Sequence, residues 1–290
     1  MARKEVKTMQ YLLLLGTIFT MTAENALRKE YDLKAKTPNV FLFTGVSALS
    51  AMVFFLARAG FRLEYTPELW PYAAALAVTY AGSHIGGFLS VRYGSLAISA
   101  MMGSFSLVIP ALYGVIALGE TLRFTGILGI VCLCVSLLLV HWPSEKVHLT
   151  MKAVCSMLLL FFANGIFGTV QKLQQLHFDG GYISEVMVMT LAVSAVLLGV
   201  FALLQWKKGE TKLRPAVMFG IPNGVANGLS NLLVMLMTTM IPNTVLYPSV
   251  SAGGIVMGCL AGVLLYRERP VLRQIIGYVF GAAAAVLLNL

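Results

Sequence analysis

Long apolar runs, separated by short turns that carry charge, Gly or Pro, fill almost the whole chain. Each run has about 20 residues, which is the length of an α-helix that crosses the hydrocarbon core of a bilayer. We therefore predict an all-α membrane protein with ten transmembrane helices. The predicted spans cover residues 9–27, 39–58, 71–91, 95–118, 124–142, 150–171, 182–205, 215–239, 244–266 and 271–290.

The second half of the chain repeats the first at an offset of 148 residues. Each copy has an apolar run, a Glu in a short charged turn, and another apolar run that carries a Gly. Five spans per copy is an odd number, so the second copy enters the membrane from the opposite side. The sequence thus predicts two inverted five-helix repeats, residues 1–147 and 148–290. The matching residues are Gly114, Glu120 and Gly129, and then Gly262, Glu268 and Gly277.

Composition agrees with this pattern and narrows the class of protein. Hydrophobic residues make up 58% of the chain and charged residues only 11%, which excludes a soluble protein of this length. The net charge of +9 comes from Lys and Arg in the turns, where lipid headgroups explain them better than nucleic acid does. All four Cys lie inside apolar runs, so we expect neither disulfides nor a metal site.

The first apolar run, from Met9, resembles the start of a signal peptide. We expect an uncleaved first span, since no convincing cleavage site precedes the next charged cluster; a cleaved leader is the alternative. Orientation is open at this stage. The Lys and Arg count over the loops favours termini outside the cell, and that count comes mostly from the second half.

Three Asn lie on one side of the predicted eighth span, at i, i+4 and i+8: Asn223, Asn227 and Asn231. Each carboxamide offers two donors and an acceptor, which suits a small polar solute. Polar side chains at membrane depth also form hydrogen bonds between helices. Both interpretations remain open for this stripe.

Glu24 is the acidic residue that lies well inside an apolar run, on the same face as Thr17, Thr20 and Arg28. A carboxylate in the membrane can carry a proton or balance a cationic group, which makes Glu24 a candidate for coupling. An i,i+4 ion pair with Arg28 near the helix end is the alternative.

Other polar and aromatic residues lie in phase on further spans. His84 is a candidate for substrate binding or proton relay; a hydrogen bond to a neighbouring helix is the alternative. Pro110 and Pro248 occupy the corresponding fourth and ninth spans, and interrupted helices at matching places point to a transporter site. The remaining predicted substrate-binding residues are Tyr80 and Ser83 in the third span, Phe161 and Asn164 in the sixth, and Tyr247 in the ninth.

Three sequence motifs of ATP-driven pumps, metalloenzymes and hydrolases do not occur in the chain. There is no Walker A loop, no H-E-x-x-H and no nucleophile elbow, so we expect neither an enzyme nor a cofactor. Glu120 and Glu268 each lie in a tight turn with Arg nearby, and we interpret them as helix caps or turn pairs. Gly277 and Gly281 form a G-x-x-x-G that packs a helix closely, either inside the protein or in a homodimer.

This arrangement resembles the EamA-type members of the drug/metabolite transporter superfamily, over nearly the whole chain from Met9. The resemblance rests on two five-span repeats that each contain an apolar run, a G-E or R-E turn and a helix with Gly; the second copy reads YRE where the family usually has G-E. It implies a carrier of small metabolites that works by exchange or proton coupling in a bacterial plasma membrane. It also implies cytoplasmic termini and a cavity enclosed by helices one, three, four, six, eight and nine.

The predicted function is therefore secondary transport of a small polar or amino-acid-like metabolite by alternating access. The first alternative is a carrier of quaternary or other organic cations, with Tyr80, Phe161 and Tyr247 as an aromatic cage and Glu24 as the charge partner. A lipid-acting enzyme built on Glu24 and His84, and a scaffold without transport, are further alternatives. The expected partners are the solute, the lipid bilayer and protons, and the protein is expected to be a monomer or homodimer.

Overall fold

The computed structural model describes residues 2–35, 37–93, 96–142, 150–206, 213–267 and 269–290. Every regular element in these residues is an α-helix. The helices are α1 (Ala2–Lys34), α2 (Val40–Arg58), α3 (Leu69–Tyr93), α4 (Leu96–Phe105), α5 (Val108–Leu118), α6 (Phe124–His141), α7 (Met151–His177), α8 (Ile183–Leu204), α9 (Leu213–Thr238), α10 (Asn243–Tyr266) and α11 (Leu272–Leu288).

Seven helical segments in the described part of the chain are long and apolar enough to cross a membrane: α2, α3, the segment Ile98–Leu118, α6, α7, α8 and α10. Helix α11 is apolar but has only 17 residues. Helices α1 and α9 do not meet that criterion. Charged residues lower the hydropathy of α1, and three Asn lower that of α9. The fold is that of an all-helical, multi-pass membrane protein.

The two long helices that do not meet the criterion for a membrane span, α1 and α9, pack against each other. Helix α1 lies against α9 and α10, and α9 also packs on α2. Helix α3 lies instead against α7 and α8. Polar groups in an apolar medium need internal partners, and the pairing of α1 with α9 supplies them. Thr17 and Thr20 of α1, and Asn223, Ser230 and Asn231 of α9, are accordingly buried.

The predicted fourth span is broken into two helices, α4 and α5, at Ser106 and Leu107. Pro110 lies in the first turn of α5. Backbone N–H groups there have no intrahelical acceptor, so the N–H group that proline lacks costs the helix no hydrogen bond. In the predicted ninth span, Pro248 lies inside the continuous helix α10. The expected interruption is therefore seen in the fourth span, whereas the ninth stays helical through its proline.

Glu120 caps a helix from the other half of the chain. Its two carboxylate oxygens accept hydrogen bonds from the backbone N–H groups of Asn243 and Thr244, both at 2.9 Å, at the start of α10. These donors have no intrahelical acceptor, and the helix N-terminus favours a negative charge. A Cβ on Gly114 would lie 2.8 Å from the Glu120 Cδ, so the carboxyl group occupies the space that a side chain there would need. Glu268, the matching residue, lies outside the described residues.

We expect Glu120→Ala to lower the free energy of unfolding by about 1–2 kcal/mol, because two donors of α10 lose their acceptor. The shift in the thermal unfolding midpoint of the detergent-solubilised protein measures this loss. Glu30→Ala is the control, since Glu30 forms a surface ion pair with Lys34 at 2.9 Å and such pairs contribute little. Equal shifts in both variants would contradict the capping role.

Helices α6 and α11 approach closely through glycines on both sides. A Cβ on Gly129 would lie 2.8 Å from the Leu288 Cγ, and one on Gly277 would lie 2.7 Å from the Val140 Cγ2. The Ser136 hydroxyl donates to the Gly277 carbonyl at 2.6 Å, and a Cβ on Gly281 would lie 3.0 Å from the Ser136 Oγ. The G-x-x-x-G of α11 thus packs against α6 of the same chain.

Candidate functional site

A chain of hydrogen bonds joins α1, α9 and α3 in the middle of the protein. The Asn227 carboxamide on α9 donates to Glu24 Oε2 on α1 at 2.9 Å. Its carbonyl oxygen accepts from the Tyr80 hydroxyl on α3 at 3.4 Å. Asn227 therefore connects the candidate coupling residue to a candidate substrate residue.

The other two Asn of the stripe hold helices together. The Asn223 carboxamide donates to the Glu24 backbone carbonyl at 2.8 Å and accepts from the Ser47 hydroxyl at 2.7 Å. Asn231 donates to the Asn227 backbone carbonyl at 2.9 Å and accepts from Gln171 of α7 at 2.9 Å. Both side chains are buried. Asn223 and Asn231 thus follow the interhelical alternative in this conformation.

Part of the network stays accessible although it lies deep among protein atoms. Glu24, Ser83, His84 and Asn227 are each half-buried, and the side chains of Glu24 and His84 are surrounded by other protein atoms. One oxygen of the carboxylate, Glu24 Oε1, is buried and accepts no hydrogen bond. The network therefore has capacity for a further hydrogen-bond donor.

Among the residues that are described, Glu24 and His84 do not form the hydrogen-bonded pairs that were the alternatives to a functional role. Arg28 interacts with the Glu24 carboxylate electrostatically, but within the described residues the hydrogen bond to that carboxylate comes from Asn227. The His84 ring makes a T-shaped contact with the Tyr80 ring, with centroids 4.6 Å apart. No hydrogen bond from His84 to a neighbouring helix is seen in the part of the chain that the structure describes.

Three predicted substrate-binding residues have other partners. The Asn164 carboxamide donates to Ser106 Oγ at 2.6 Å and to the Gly103 carbonyl at 3.2 Å, at the break between α4 and α5. The Tyr247 hydroxyl donates to the Gly168 carbonyl of α7 at 2.7 Å. The Phe161 ring stacks edge-on against Phe162 at 5.2 Å.

The rings of the proposed aromatic cage are therefore not neighbours in this conformation. Tyr80 instead packs its ring against His84 and, at 5.8 Å, against Phe167 of α7. Phe167 carries no polar atom and was not predicted as a site residue. Its place one turn before Gln171 on α7 is the signal that the sequence offered.

Two buried polar residues of α7, Gln171 and Lys172, were not predicted as part of the site. Gln171 reaches the Asn stripe through Asn231. Lys172, next along the chain, is buried and its ammonium group donates to the Thr238 carbonyl at the end of α9. A cation at a helix C-terminus is favourable, so Lys172 fixes the end of α9 against α7.

Two surface pockets lie away from this network. One is apolar and lies between α4, α5, α6 and α10, with Leu107, Leu133 and Pro248 among its lining residues. The other lies where α10 ends and α11 begins, beside Arg269 and Gln274. None of the predicted substrate-binding residues lines either pocket.

Four helices surround the polar network: α1, α3, α7 and α9. Helices α1 and α3 each pack mainly on other helices, and their side chains meet through Asn227. This arrangement can bind a small polar solute through a carboxylate, a phenol, an imidazole and a carboxamide, and the carboxylate can take up a proton. The described residues contain no group of His, Cys, Asp and Glu that could hold a metal ion.

Comparison with known proteins identifies the fold and no more. No protein-family model matches the chain, and no curated protein matches its sequence. Solved structures do match, 29 chains in all. One of these, a crystal structure, superposes with a TM-score of 0.80 at 13% sequence identity, over 97% of this chain and 96% of the other. The chain therefore shares, over nearly its whole length, a fold already seen in another protein.

Proposed function

We propose that the protein is a secondary active transporter of a small polar metabolite, of the EamA type in the drug/metabolite transporter superfamily. The observation that carries the proposal is the network around Asn227. It joins three helices deep in an apolar bundle, it is partly accessible, and it includes a carboxylate oxygen without a hydrogen-bond donor. Polar groups at membrane depth are costly and mark substrate or ion pathways.

The packing of the helices supports a bundle of ten spans in two inverted repeats. With α4 and α5 counted as one span, the repeat pairs α1 with α7, α2 with α8, α3 with α9 and α6 with α11. Helix α1 packs on α9 and, correspondingly, α7 packs on α3. In the same way, α2 packs on α9 and α8 packs on α3. Two further contacts, α2 with α8 and α6 with α11, each join a helix to its own repeat counterpart, as a two-fold axis requires.

Individual contacts repeat in the same way. Gly129 faces Leu288, and Gly277 faces Val140. At the offset of 148 residues, Gly129 corresponds to Gly277 and Val140 corresponds to Leu288, so the two contacts are equivalent. Near the ends of the same helices, Arg123 donates to the Leu290 carbonyl at 3.2 Å and Arg273 donates to the Trp142 carbonyl at 2.6 Å. Inverted repeats that rock about a central site are a common basis of alternating access.

Counterflow in proteoliposomes tests the proposal. Vesicles that contain the purified protein are loaded with one unlabelled solute from a panel of amino acids, sugars, nucleobases and polyamines. Accumulation of the labelled solute above the level in protein-free vesicles is the expected result for at least one member of the panel. No accumulation with any of them would count against a carrier of small polar metabolites.

We expect Glu24→Gln to remove the dependence of uptake on a pH gradient. The Gln side chain keeps an oxygen that can accept from Asn227 but cannot carry a proton across the membrane. Uptake is measured with and without an inward proton gradient, and the ratio of the two rates is compared between wild type and variant. A ratio in the variant that equals the wild-type ratio would assign coupling to another group.

The contacts of Tyr80 also support a second candidate function, transport of an organic cation. Tyr80 is linked to the half-buried Glu24 carboxylate through Asn227, and its ring packs against the Phe167 ring. Aromatic faces beside an anion attract cations. Phe167→Leu discriminates between the two candidates. It should weaken binding of an ammonium compound such as choline, while the binding of neutral polar solutes changes little.

A further inference from the structure

The apolar pocket between α4, α5, α6 and α10 is a feature of the bundle to which the proposed function gives no role. Its lining residues follow α5 from Leu107, at the break, to Leu122, in the turn before α6. Helix α10 contributes Pro248 to the lining and α6 contributes Leu133. Almost all of the lining surface is apolar. The pocket therefore offers nothing to a polar solute of the kind that the central network would bind.

The pocket lies where α5 and α6 fail to pack along each other. Helix α6 packs on α4, α10 and α11, and its contact with α5 is slight. The helices at the matching places of the sequence repeat, α10 and α11, do pack directly on each other. The first half of the chain differs by the break at Ser106 and Leu107. Because this break separates α5 from α4, α4 can pack on α6 while α5 stands away from it.

The pocket extends over the depth of one leaflet of a bilayer. Helix α5 begins at the middle of the apolar segment Ile98–Leu118. Its 11 residues rise about 16 Å, at 1.5 Å per residue. One leaflet contributes about 15 Å to the hydrocarbon core, half of its thickness. The lining residues along α5 thus run from the middle of the membrane to its surface.

The pocket opens on the face of the bundle that meets lipid. Leu112 lines the pocket and is nevertheless 52% exposed, and Ile116, one turn further along α5, is 82% exposed. On α6, Val131 is exposed, whereas the lining residue Leu133 is buried. In a multi-pass membrane protein, exposed apolar side chains of these helices contact acyl chains. A lipid can therefore enter from the bilayer, and it reaches Leu133 only from inside the pocket.

The size and chemistry of the pocket limit what can fill it. A cavity without polar groups stays free of water, and an empty cavity forfeits the dispersion contacts of its lining. The volume of the pocket is about 60 Å³. Since one water-sized group needs about 10–15 Å³ of such space, about four to six methylene-sized groups fit. This is a segment of an unbranched chain, and it is too little space for a sterol.

We propose that the apolar pocket binds one acyl chain of a membrane phospholipid, the molecule that surrounds the opening in a bilayer. The carbonyl end of the chain lies toward Leu122 and the membrane surface, and the inner methylenes contact Ala111 and Leu133. The chain fills the space that the break in the fourth span leaves between α5 and α6. This site is separate from the network around Asn227 and does not depend on which solute the protein transports.

Photo-crosslinking in proteoliposomes tests this binding site. The full-length protein is reconstituted in phosphatidylcholine, a small fraction of which carries a diazirine near the methyl end of one acyl chain. After illumination, peptide mapping gives the labelling at Leu133 relative to that at Val279, an exposed residue of α11; this is the labelling ratio. Both residues lie near the middle of their helices. We expect labelling at Leu133 as well as at Val279.

Variants that fill the pocket provide the matched comparison. Ala111→Phe places a ring among the lining residues and should lower the labelling ratio by about 10-fold, which corresponds to 1.4 kcal/mol of binding free energy. Val115→Phe fills the pocket nearer the membrane surface and serves if Ala111→Phe does not fold. Ala117→Phe is the control, because Ala117 is an exposed residue of α5 that does not line the pocket. It should keep the wild-type ratio.

The contrary outcomes are distinct. The site is overturned if wild type shows no labelling at Leu133, or if both filling variants keep the wild-type labelling ratio. Oleate added to the bilayer as a minor component distinguishes the two sources of an acyl chain. Loss of labelling at Leu133 would assign the pocket to free fatty acids and refute the phospholipid, whereas unchanged labelling supports it. None of these outcomes depends on transport, so a failure of counterflow leaves the test intact.

Discussion

Asn227→Ala is expected to reduce counterflow by about 100-fold or more while the protein remains folded. The Asn227 carboxamide donates to Glu24 and accepts from Tyr80 and, at 3.3 Å, from Asn231. Its loss removes the donor of a carboxylate deep in the protein, and hydrogen bonds to charged groups are worth about 1.5–3 kcal/mol each. Since Asn227 is half-buried, water can replace part of the side chain and the fold survives.

The measurement is the initial rate of counterflow, with size-exclusion profile and unfolding temperature recorded in parallel. Asn289→Ala is the matched control. Asn289 follows α11, and its carboxamide bonds to Ser249 Oγ at 3.0 Å and to the Ala285 carbonyl at 2.8 Å, away from the network. This variant should transport like wild type. Undiminished counterflow in Asn227→Ala would move the substrate site to another part of the bundle.

Gly224→Ala is expected to destabilise the protein by about 3 kcal/mol or more. A Cβ on Gly224 would lie 2.6 Å from the Ser50 Cβ and 3.0 Å from the Ala51 backbone nitrogen of α2. Backbone atoms cannot rotate away, so α2 and α9 must separate, and overpacking of this kind typically costs 1–3 kcal/mol or somewhat more. The separation would also break the hydrogen bond from Ser47 to Asn223.

Gly258→Ala is the matched control, because a Cβ there meets no atom within 4 Å. In a helix, Ala is favoured over Gly by about 0.5–1 kcal/mol, so this variant should be neutral or slightly more stable. Thermal unfolding in detergent and yield after solubilisation measure both variants. Similar unfolding temperatures for the two would show that α2 and α9 do not approach as closely as described.

The polar stripes could be read from the sequence because helical periodicity alone decides which residues share a face. Asn223, Asn227 and Asn231 do lie on the side of α9 that meets α1 and α7. The partners of each Asn could not be predicted, because they come from helices far apart in sequence. Asn223 is saturated by Glu24 and Ser47, whereas Asn227 remains partly accessible.

The lengths and breaks of the helices were predicted less well. The first helix begins at Ala2 and continues to Lys34, beyond the span expected from hydropathy. A helix can continue beyond the hydrocarbon core through charged residues with the same backbone geometry. The length of the apolar run therefore underestimates the length of the helix. The break between α4 and α5 precedes Pro110, and α7 contributes to it through Asn164.

The marks of the repeat had a role that local sequence could not identify. The sequence predicted that Glu120 caps a helix or pairs within its turn. Capping requires only an oxygen atom near free backbone N–H groups, so the sequence does not say which helix is capped. The N–H groups belong to α10, more than 120 residues later. Likewise G-x-x-x-G predicts a close helix contact without naming the partner, which is α6 of the same chain.

The sequence by itself determined that the chain is a bundle of apolar helices with polar stripes, because hydrophobic length and periodicity are local properties of a helix. Only the tertiary structure decided which polar groups are saturated by other helices and which retain free hydrogen-bonding capacity. That distinction depends on distances between α1, α3, α7 and α9, and these distances are set by packing across the whole bundle.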